Sequence, residues 1–240
     1  MKLDILAIVA HPDDLELSAS GTLIKSIKQG KKVGIIDLTR GELGTRGTPE
    51  IRAREAAKAS AIIGLSIREN AELPDGFLNN VKEQQMVIIP FIRKYQPDIV
   101  ITNAIRDRHP DHGMGSELTS KSCFLSGLRA IKTIGKDGEE QLAWRPRAVY
   151  HIIQDRYIEP DFIVDITQEW SKKLKSIEAF KSQFFVEKEK DEPQTPISSP
   201  EFMSFLESRA RDFGRTIGVK YGEGFTVERT IGISDLNQLS

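Results

Sequence analysis

The sequence has almost no excess charge of either sign, since 34 lysines and arginines stand against 35 aspartates and glutamates. With a net charge of −1, no field of one sign extends across the molecule to attract nucleic acid or an anionic membrane surface. The sequence also lacks any uncharged apolar stretch near the roughly 20 residues that a membrane-spanning helix needs. These absences predict a protein whose partners include neither nucleic acid nor a membrane.

Cysteine is nearly absent as well. The single Cys123 cannot form an intramolecular disulfide, and the charges among the first residues argue against a secretory signal. We therefore expect a cytoplasmic protein. Cys123 falls in an apolar segment, which predicts that its side chain packs as a small hydrophobe.

The hydrophobic pattern predicts an alternation of strands and helices. Residues 3–10 form a nearly continuous apolar run typical of a strand buried on both faces, residues 17–29 show a helical period, and residues 33–38 form a second apolar run. Further strands are predicted at 98–103, 148–153, 162–165 and 225–230, a loop at 104–115, and helices at 51–64, 82–95, 118–128, 170–182 and around 202–213. This alternation predicts a single α/β domain over residues 1–240, with a doubly wound, mostly parallel, Rossmann-like sheet flanked by helices.

Residues 186–200 interrupt the pattern with three prolines, several charges and few apolar side chains. Such a composition predicts a mobile loop, which would be either a lid over the site or a plain linker.

Polar residues follow the predicted strands at their carboxyl ends, the edge where open α/β sheets bind ligands. We therefore expect the active site at this edge. The first strand is followed by His11, Asp13, Asp14 and Glu16, the second by Arg40, Glu42, Arg46 and Arg52, the third by residues 106–112, and the fourth carries His151. All four histidines of the chain thus fall on one rim of the predicted sheet.

The turn His11-Pro12-Asp13-Asp14 lies where a dinucleotide-binding domain has its glycine-rich phosphate loop. Glycines are missing here, and two carboxylates would repel a pyrophosphate unless a cation intervened. His11, one aspartate and a histidine of the 109–112 segment supply the nitrogen and oxygen ligands that Zn²⁺ accepts, with a position left for water. The other aspartate would take a proton from that water. The pattern does not show which of Asp13 and Asp14 binds the metal and which takes the proton.

Ordinary structural roles are the alternative for the same residues. Asp13 and Asp14 would cap the helix that follows, since carboxylates favour that end. His109 and His112 would be surface or hydrogen-bonded histidines in a proline-containing loop. The occurrence of both motifs at one rim favours the metal site.

Two motifs, AHPDDLELSASGT at 10–22 and RDRHPDHG at 106–113, closely resemble those of the PIG-L/LmbE-like zinc de-N-acetylases. The resemblance extends to DLT at 37–39, RGTPEIRAREA at 46–56 and GVKYGEGF at 218–225, and so covers nearly the whole chain. These further stretches are most similar to the subgroup that deacetylates N-acetylglucosaminyl malate in bacillithiol biosynthesis.

The resemblance assigns separate roles to the residues of the first turn. It implies that His11, Asp14 and His112 bind zinc, although Fe²⁺ or Co²⁺ could occupy the same ligands. It also implies that Asp13 is the general base.

The resemblance implies roles for three further residues. His109 would be a protonated imidazole that stabilises the oxyanion and can protonate the leaving amine, with Asp111 holding its ring. Arg52 matches the arginine that contacts substrate hydroxyls in the family. Without the resemblance, Arg52 would equally be a helix-surface arginine that pairs with its helical neighbours.

Some assignments depend on charge type and position alone. Arg106 and Arg108, together with Arg40 and Arg46, could pair with the two carboxylates of a malate aglycone or be solvated surface residues. His151 would either contact the substrate or be buried against the end of the sheet.

The sequence departs from the family pattern just before the second motif. Some members use a tyrosine there to polarise the amide, whereas this chain has Asp107 two residues before the first motif histidine. Tyr150, Tyr157 and Tyr221 are candidates for that task, with packing as the alternative for each. Glu16 would orient a ligand histidine rather than bind the metal as a fourth ligand.

The predicted function is zinc-dependent removal of the acetyl group from an N-acetylglucosaminide, with N-acetylglucosaminyl malate as the expected substrate and acetate as a product. The resemblance further implies a homo-oligomer such as a hexamer. Three alternatives stay open: a deacetylase of another N-acetylated sugar such as a chitooligosaccharide, a non-catalytic sugar-binding member, and a metal-dependent phosphoesterase with two metal ions.

Overall fold

A computed structural model describes residues 1–184 and 193–236, in which seven strands form one sheet. The strands are β1 (Ile5–Val9), β2 (Val33–Asp37), β3 (Ile67–Asn70), β4 (Ile99–Thr102), β5 (Ala148–Ile152), β6 (Phe162–Asp165) and β7 (Gly222–Val227). Their order in the sheet is β3-β2-β1-β4-β5-β7-β6. The pairs from β3 to β5 are parallel, whereas β7 runs antiparallel to both β5 and β6. The predicted doubly wound, mostly parallel sheet is confirmed.

Seven helices of the described residues accompany the sheet. They are α1 (Asp14–Ser18), α2 (Ser20–Lys28), α3 (Pro49–Ile63), α4 (Lys82–Tyr95), α5 (Pro110–Ser126), α6 (Trp170–Glu178) and α7 (Pro200–Thr216). Within residues 1–184 and 193–236, no helix combines the length and the apolar character that crossing a bilayer requires.

Strand β1 lies inside the sheet between β2 and β4, and all five of its residues are buried. Leu6 and Ile8 belong to the core on one face of the sheet. Ile5, Ala7 and Val9 belong to a second core on the opposite face. Because both faces of the sheet are covered, the side chains that point to either face are apolar, which explains the continuous apolar run in the sequence.

Helix α5 begins at Pro110 rather than at the predicted residue 118. His109 is its N-cap, since Nδ1 of His109 accepts a hydrogen bond from the N–H of Asp111 at 3.2 Å. Pro110 suits the first turn, where a missing N–H costs nothing. The prediction of a loop up to residue 115 was wrong because the first turns of α5 bury the polar residues Asp111 and His112 instead of an apolar stripe.

Other element boundaries also differ from the prediction. Strand β3 was not predicted, because three of its four residues are polar and it lies at the edge of the sheet. The single helix predicted at 17–29 is two helices, α1 and α2, separated at Ala19, whose φ of −143° is not helical. Helix α6 ends at Glu178 rather than at residue 182, and the last strand spans 222–227 rather than 225–230.

The topology places a crevice at the carboxyl end of β1. Strands β1 and β4 are neighbours although β2 and β3 lie between them in sequence, so the chain crosses here from one half of the sheet to the other. Ligands of open α/β sheets bind at such a crossing. Of the loop predicted at 186–200, residues 186–192 lie outside the described residues, and residues 193–199 lead into α7.

Candidate metal centre and active site

The turn after β1 separates the two adjacent aspartates. Asp13 has a φ of 107°, in a left-handed region that residues other than glycine rarely adopt and that is frequent at functional sites. The carboxylate of Asp13 contacts Arg52, whereas that of Asp14 contacts His112 and accepts a hydrogen bond from the N–H of His11 at 3.0 Å. Asp13 stands at the N-cap of α1, but its side chain makes no capping hydrogen bond. Helix capping therefore does not account for Asp13.

Asp14 lies between two buried imidazoles. Its Oδ2 is 3.4 Å from Nδ1 of His11, and its Oδ1 is 3.0 Å from Nε2 of His112. The side-chain amides of Asn103 and Gln154 donate to the same carboxylate at 2.9 and 3.0 Å. Two neutral donors thus hold the Asp14 carboxylate in place without neutralising its charge.

Three of the four histidines gather at this point. The ring of His11 lies 4.6 Å from that of His109 and 5.5 Å from that of His112, and the last two rings stack at 5.1 Å. Within the described residues, two sets of three side chains have ligand atoms close enough together for one metal ion: His11, His109 and His112, and His11, Asp75 and Asp111. Both sets share His11, so the candidate metal position lies beside this residue. The predicted set of His11, Asp14 and His112 is not one of the two, although the Asp14 carboxylate contacts both imidazoles.

The charges of the ligand residues reinforce one another. Burial disfavours the charged form of each, yet the charge of Asp14 and the hydrogen bond with Asp107 raise the pKa of His112 to about 9. Hydrogen bonds to Asp111, Asp14 and Asp75 likewise outweigh burial and raise the pKa of His11. The His112 charge and the hydrogen bonds from both imidazoles hold the pKa of the buried Asp14 carboxyl well below its usual range.

Asp13 behaves differently from Asp14. Burial raises the pKa of Asp13 to about 7, although the adjacent Arg52 guanidinium opposes the rise. Burial also lowers the pKa of His109, with the charges of His11 and His112 as further causes. The direction of this shift contrasts with the protonated imidazole that the resemblance implied.

Arg52 is buried and reaches across the turn from α3. Its Nη2 donates to the carbonyl of Pro12 at 2.5 Å and to Oδ2 of Asp13 at 3.1 Å, while Nη1 lies 3.4 Å from the carbonyl of Gly41. Gly41 has a φ of +65°, and a Cβ there would collide with Nη1 of Arg52. Glycine at position 41 therefore leaves the space through which Arg52 reaches Asp13. Thr48 caps α3, with its side chain accepting from the N–H of Ile51 at 3.3 Å.

A cavity of about 370 Å³ opens above these residues, a size typical of small-molecule sites. His11, Asp13, Asp14, His109, His112 and Arg52 line its polar side. Its apolar side is formed by Leu17, Leu43, Ile197, Phe202, Phe205 and Leu206. Arg108 lines the cavity as a half-exposed residue and pairs with Asp155 at 3.3 Å.

The other predicted substrate contacts lie apart from this cavity. Arg106 is exposed and His151 is buried, and neither lines the cavity. Nδ1 of His151 is 2.8 Å from Oγ of Ser116, and its Nε2 is 3.2 Å from Glu228. Arg40 is exposed and Arg46 is buried, and both are likewise absent from the lining.

Asp111 contacts His109 through its backbone only, by the capping hydrogen bond at the start of α5. Its carboxylate accepts from the N–H groups of Gly76 and Leu78 at 2.7 and 3.3 Å and lies 3.5 Å from Nε2 of His11. The structure thus turns the Asp111 carboxylate towards a ligand histidine instead of the His109 ring.

The remaining candidates do not line the cavity. Tyr150 packs edge-on against Phe162, Tyr157 is largely exposed, Tyr221 stacks on Trp170, and none of the three tyrosines lines the cavity. Glu16 is buried and pairs with Arg68 at 2.6 Å rather than with a histidine. Cys123 is buried in the core.

Several residues of the site were missed in the sequence. Asn103 and Gln154, which hold Asp14, are the first strongly polar residues after buried strands, the same signal that singled out His11. Asp107 was noted without a role, and the structure places its Oδ2 2.5 Å from Nδ1 of His112. Asp75, 3.1 Å from Nε2 of His11, gave no signal because it follows the unpredicted strand β3.

The donor set fits a resident metal cation. The two histidines predicted as ligands, His11 and His112, are surrounded by buried carboxylates, namely Asp13, Asp14, Asp75, Asp107 and Asp111. Buried anions need compensating cations. The same carboxylates raise the pKa of both histidines, so the cluster favours positive charge at this position, and a divalent ion bound by nitrogen and oxygen would supply it.

The fold and the site define an α/β protein with a histidine and carboxylate cluster suited to a metal ion at the carboxyl edge of its sheet. The profile of the family described as PIG-L, GlcNAc-PI de-N-acetylase, matches residues 6–123. The chain belongs to this family. The resemblance is thereby confirmed, and with it the predicted class, an enzyme of the deacetylase type.

Individual proteins show the same likeness over nearly the full length. Diacetylchitobiose deacetylase of Thermococcus kodakarensis is 26% identical over 234 residues, which cover 92% of this chain and 81% of that protein. The crystal structure of the conserved protein TT1542 from Thermus thermophilus is similar at 33% identity, 98% coverage of each chain and a TM-score of 0.85. N,N'-diacetylchitobiose deacetylase from Pyrococcus horikoshii is similar at 26% identity, with 93% and 82% coverage and a TM-score of 0.77.

Proposed function

We propose that the protein is a metal-dependent hydrolase that removes the acetyl group from an N-acetylglucosaminide. The observation that carries the proposal is the separation of Asp13 from the cluster of His11, Asp14 and His112 at one end of a cavity. One carboxylate is thus available for proton transfer beside the three proposed metal ligands. The deacetylases of the two archaea named above support the same class of reaction.

His11, Asp14 and His112 would hold the metal, with Zn²⁺ as the proposed ion. When bound, Zn²⁺ supplies Lewis-acid chemistry, which acidifies water and polarises a carbonyl group. Fe²⁺ or Co²⁺ would fit the same nitrogen and oxygen donors.

Asp13 is the proposed general base. Its carboxylate takes a proton from the attacking water as the new C–O bond forms at the acetyl carbon, and the pKa of about 7 suits a group that works near neutral pH. Arg52 holds the carboxylate in position through the contact at 3.1 Å. The C–N bond then breaks, and the proton passes to the departing nitrogen, so the products are acetate and a free amine.

His109 is the proposed oxyanion partner. Its Nδ1 accepts the hydrogen bond from the Asp111 N–H, so the neutral ring carries its proton on Nε2. That N–H can donate to an oxyanion without the ring being charged, which agrees with the lowered pKa of His109.

The proposed substrate is N-acetylglucosaminyl malate, converted to glucosaminyl malate in bacillithiol biosynthesis. Arg108 supports this choice because its guanidinium lines the cavity and could exchange Asp155 for a malate carboxylate. A chitooligosaccharide is the second candidate, since two relatives similar over most of their length are diacetylchitobiose deacetylases.

The test is an assay of free amine and acetate over N-acetylglucosaminyl malate, N,N'-diacetylchitobiose and N-acetylglucosamine, each with and without a chelator. We expect one acetate per amine, loss of turnover with the chelator and its return with added Zn²⁺. Preference for diacetylchitobiose would select the second substrate. Phosphate release from phosphoesters with two metal ions per chain, or binding without turnover, would overturn the proposed reaction.

A further inference from the structure

Each ligand histidine touches a carboxylate on both of its ring nitrogens. Nδ1 of His11 faces Asp14 at 3.4 Å, and its Nε2 faces Asp75 at 3.1 Å, with Asp111 farther from the same nitrogen at 3.5 Å. Nε2 of His112 faces Asp14 and its Nδ1 faces Asp107, at 3.0 and 2.5 Å. The two rings are thus arranged alike around Asp14, although they use opposite nitrogens.

The outer carboxylates are themselves held by backbone N–H groups. Oδ2 of Asp75 accepts from the N–H of Leu43 at 2.9 Å, so its Oδ1 is left for His11. Oδ1 of Asp107 accepts from the N–H of Arg156 at 2.7 Å, so its Oδ2 is left for the ring of His112. Both side chains are almost fully buried. Neither carboxylate can therefore turn away from its histidine without losing its hydrogen bond to the backbone.

We propose that Asp75 and Asp107 are positioning residues that set the tautomers of the two ligand histidines. An ionised carboxylate can only accept hydrogen bonds, so the ring nitrogen that faces it carries the proton. This leaves Nδ1 of His11 and Nε2 of His112 to offer their lone pairs on the side of Asp14. Carboxylate partners of this kind orient metal-binding histidines and raise their basicity.

Only the metal assignment of the proposed function is needed for this inference, and the substrate is not involved. The proposed role of Asp107 differs from the family-based expectation for the second motif, in which Asp111 holds the ring of His109. The arrangement gives Asp107, which had no role in the sequence, a direct contact with a proposed ligand.

The test uses two isosteric variants, Asp75→Asn and Asp107→Asn. In each, the amide oxygen can keep the backbone hydrogen bond while the amide NH₂ faces the histidine, which favours the tautomer with its proton on the nitrogen nearest Asp14. At His11 the Asp111 carboxylate, 3.5 Å from Nε2, can still accept a hydrogen bond, so the smaller effect is expected in Asp75→Asn. We expect the affinity for Zn²⁺, measured by competition with a chelator, to fall about 10- to 100-fold in each variant. An affinity within about twofold of the unmodified protein in both variants would overturn the proposal.

Asp155→Asn is the matched control, because it removes the same charge from a residue of the same cavity whose described ion pair is with Arg108. Its Zn²⁺ affinity should stay unchanged. A fall as large as in the two variants would show a general effect of charge and overturn the specific role of Asp75 and Asp107.

The tautomers can also be measured directly in the unmodified protein, which decides the question even if a variant fails to fold. In the Zn²⁺-loaded protein labelled with ¹⁵N-histidine, long-range ¹H–¹⁵N spectra should show the proton of His11 on Nε2 and that of His112 on Nδ1. The opposite tautomers at an occupied site would overturn this inference alone. A His112→Ala variant that binds Zn²⁺ as tightly as the unmodified protein would instead remove the proposed metal site, and the proposed function with it.

Discussion

Asp13 and Asp14 are identical in chemistry and adjacent in sequence, but their surroundings separate their acidities. Burial raises the pKa of Asp13 to about 7, whereas the pKa of Asp14 lies well below the usual range because His112 and His11 stabilise its charge. Pairs of titratable groups whose environments push their pKa values apart mark acid and base assignments. The structure therefore supports the order that the family resemblance implied and that the residue pattern left open.

Replacing the proposed base tests this order. Asp13→Asn keeps an oxygen for the contact with Arg52 but cannot accept the proton, so we expect kcat to fall about 10²- to 10⁴-fold with metal content unchanged. Steady-state amine release and metal analysis of the same preparation would measure both quantities. Turnover within tenfold of the unmodified protein would contradict the assignment of Asp13.

Metal binding should compete with protons at His112. The pKa of His112 in the metal-free protein is about 9, above the ordinary 6.5, because the charge of Asp14 and the hydrogen bond with Asp107 outweigh burial. The imidazole therefore holds its extra proton at neutral pH, and that proton must leave before the ring can bind a metal. We expect the Zn²⁺ affinity, corrected for the chelator, to rise from pH 6.5 to about pH 9. An affinity that is flat over this range would contradict the prediction.

The contacts that hold His11 and Asp14 in place could not be predicted from the spacing of residues in the sequence. His11 and Asp75 are 64 positions apart, and Asn103 and Asp14 are 89 apart, so no local pattern relates them. The HPDD turn could be recognised because it directly follows the buried strand β1. By contrast, Asp75 follows the edge strand β3, whose polar residues hide it from any hydrophobic pattern.

The buried carboxylate of Glu223 joins strand β7 to helices α2 and α6. Glu223 accepts hydrogen bonds from the N–H groups of Gly21 and Thr22 at the start of α2, at 3.0 and 2.7 Å, and from Nζ of Lys173 in α6 at 2.6 Å. Lys173 also donates to the carbonyl of Leu17 in α1, beside the cavity. Burial lowers the pKa of Lys173 although the charge of Glu223 opposes it.

Removing this charge should destabilise the fold. Glu223→Gln leaves the ammonium of Lys173 buried without its anion, so we expect the free energy of unfolding to fall by about 3–5 kcal/mol. Urea unfolding of the metal-free protein would measure the loss. Glu207→Gln is the control, since solvent screens this exposed pair with Arg211 and its loss should change the free energy of unfolding little. A loss below about 1 kcal/mol at Glu223 would show that the buried pair is dispensable.

The helices and strands themselves were predictable wherever hydrophobic periodicity marks them. The run at 3–10 and the helix at 82–95 correspond to β1 and α4. Prediction failed at the start of α5, where His109, Asp111 and His112 stand at the N-cap and in the first turn in place of an apolar stripe. Polar residues of the candidate site thus hid the start of this helix from a hydrophobic pattern.

Metal binding should stabilise the protein as a unit, because the proposed ligands come from the β1 turn and from α5. With Zn²⁺ at 100 times its dissociation constant, linkage predicts about 2.7 kcal/mol of added stability. For a chain of this size that corresponds to a rise in Tm of roughly 5–10 °C, since about 1 kcal/mol shifts Tm by some 2–4 °C.

Thermal unfolding with a chelator and with added Zn²⁺ would measure this shift, with His112→Ala as the control that should lose most of it. A Tm that does not respond to chelation would contradict a metal site between β1 and α5.

The sequence was sufficient for the fold class and for the motif residues, because both depend on local order: apolar runs, their period, and the polar residues that immediately follow a buried strand. Its balanced charge excluded nucleic acid and anionic lipid as expected partners, but it concealed a buried excess of carboxylates around two imidazoles. Tertiary folding alone brought Asp75 to His11 and Asp107 against the ring of His112, and turned His151 away from the cavity. Those contacts depend on which strand ends and helix starts meet in space, and pairing between distant segments leaves no trace in local residue order.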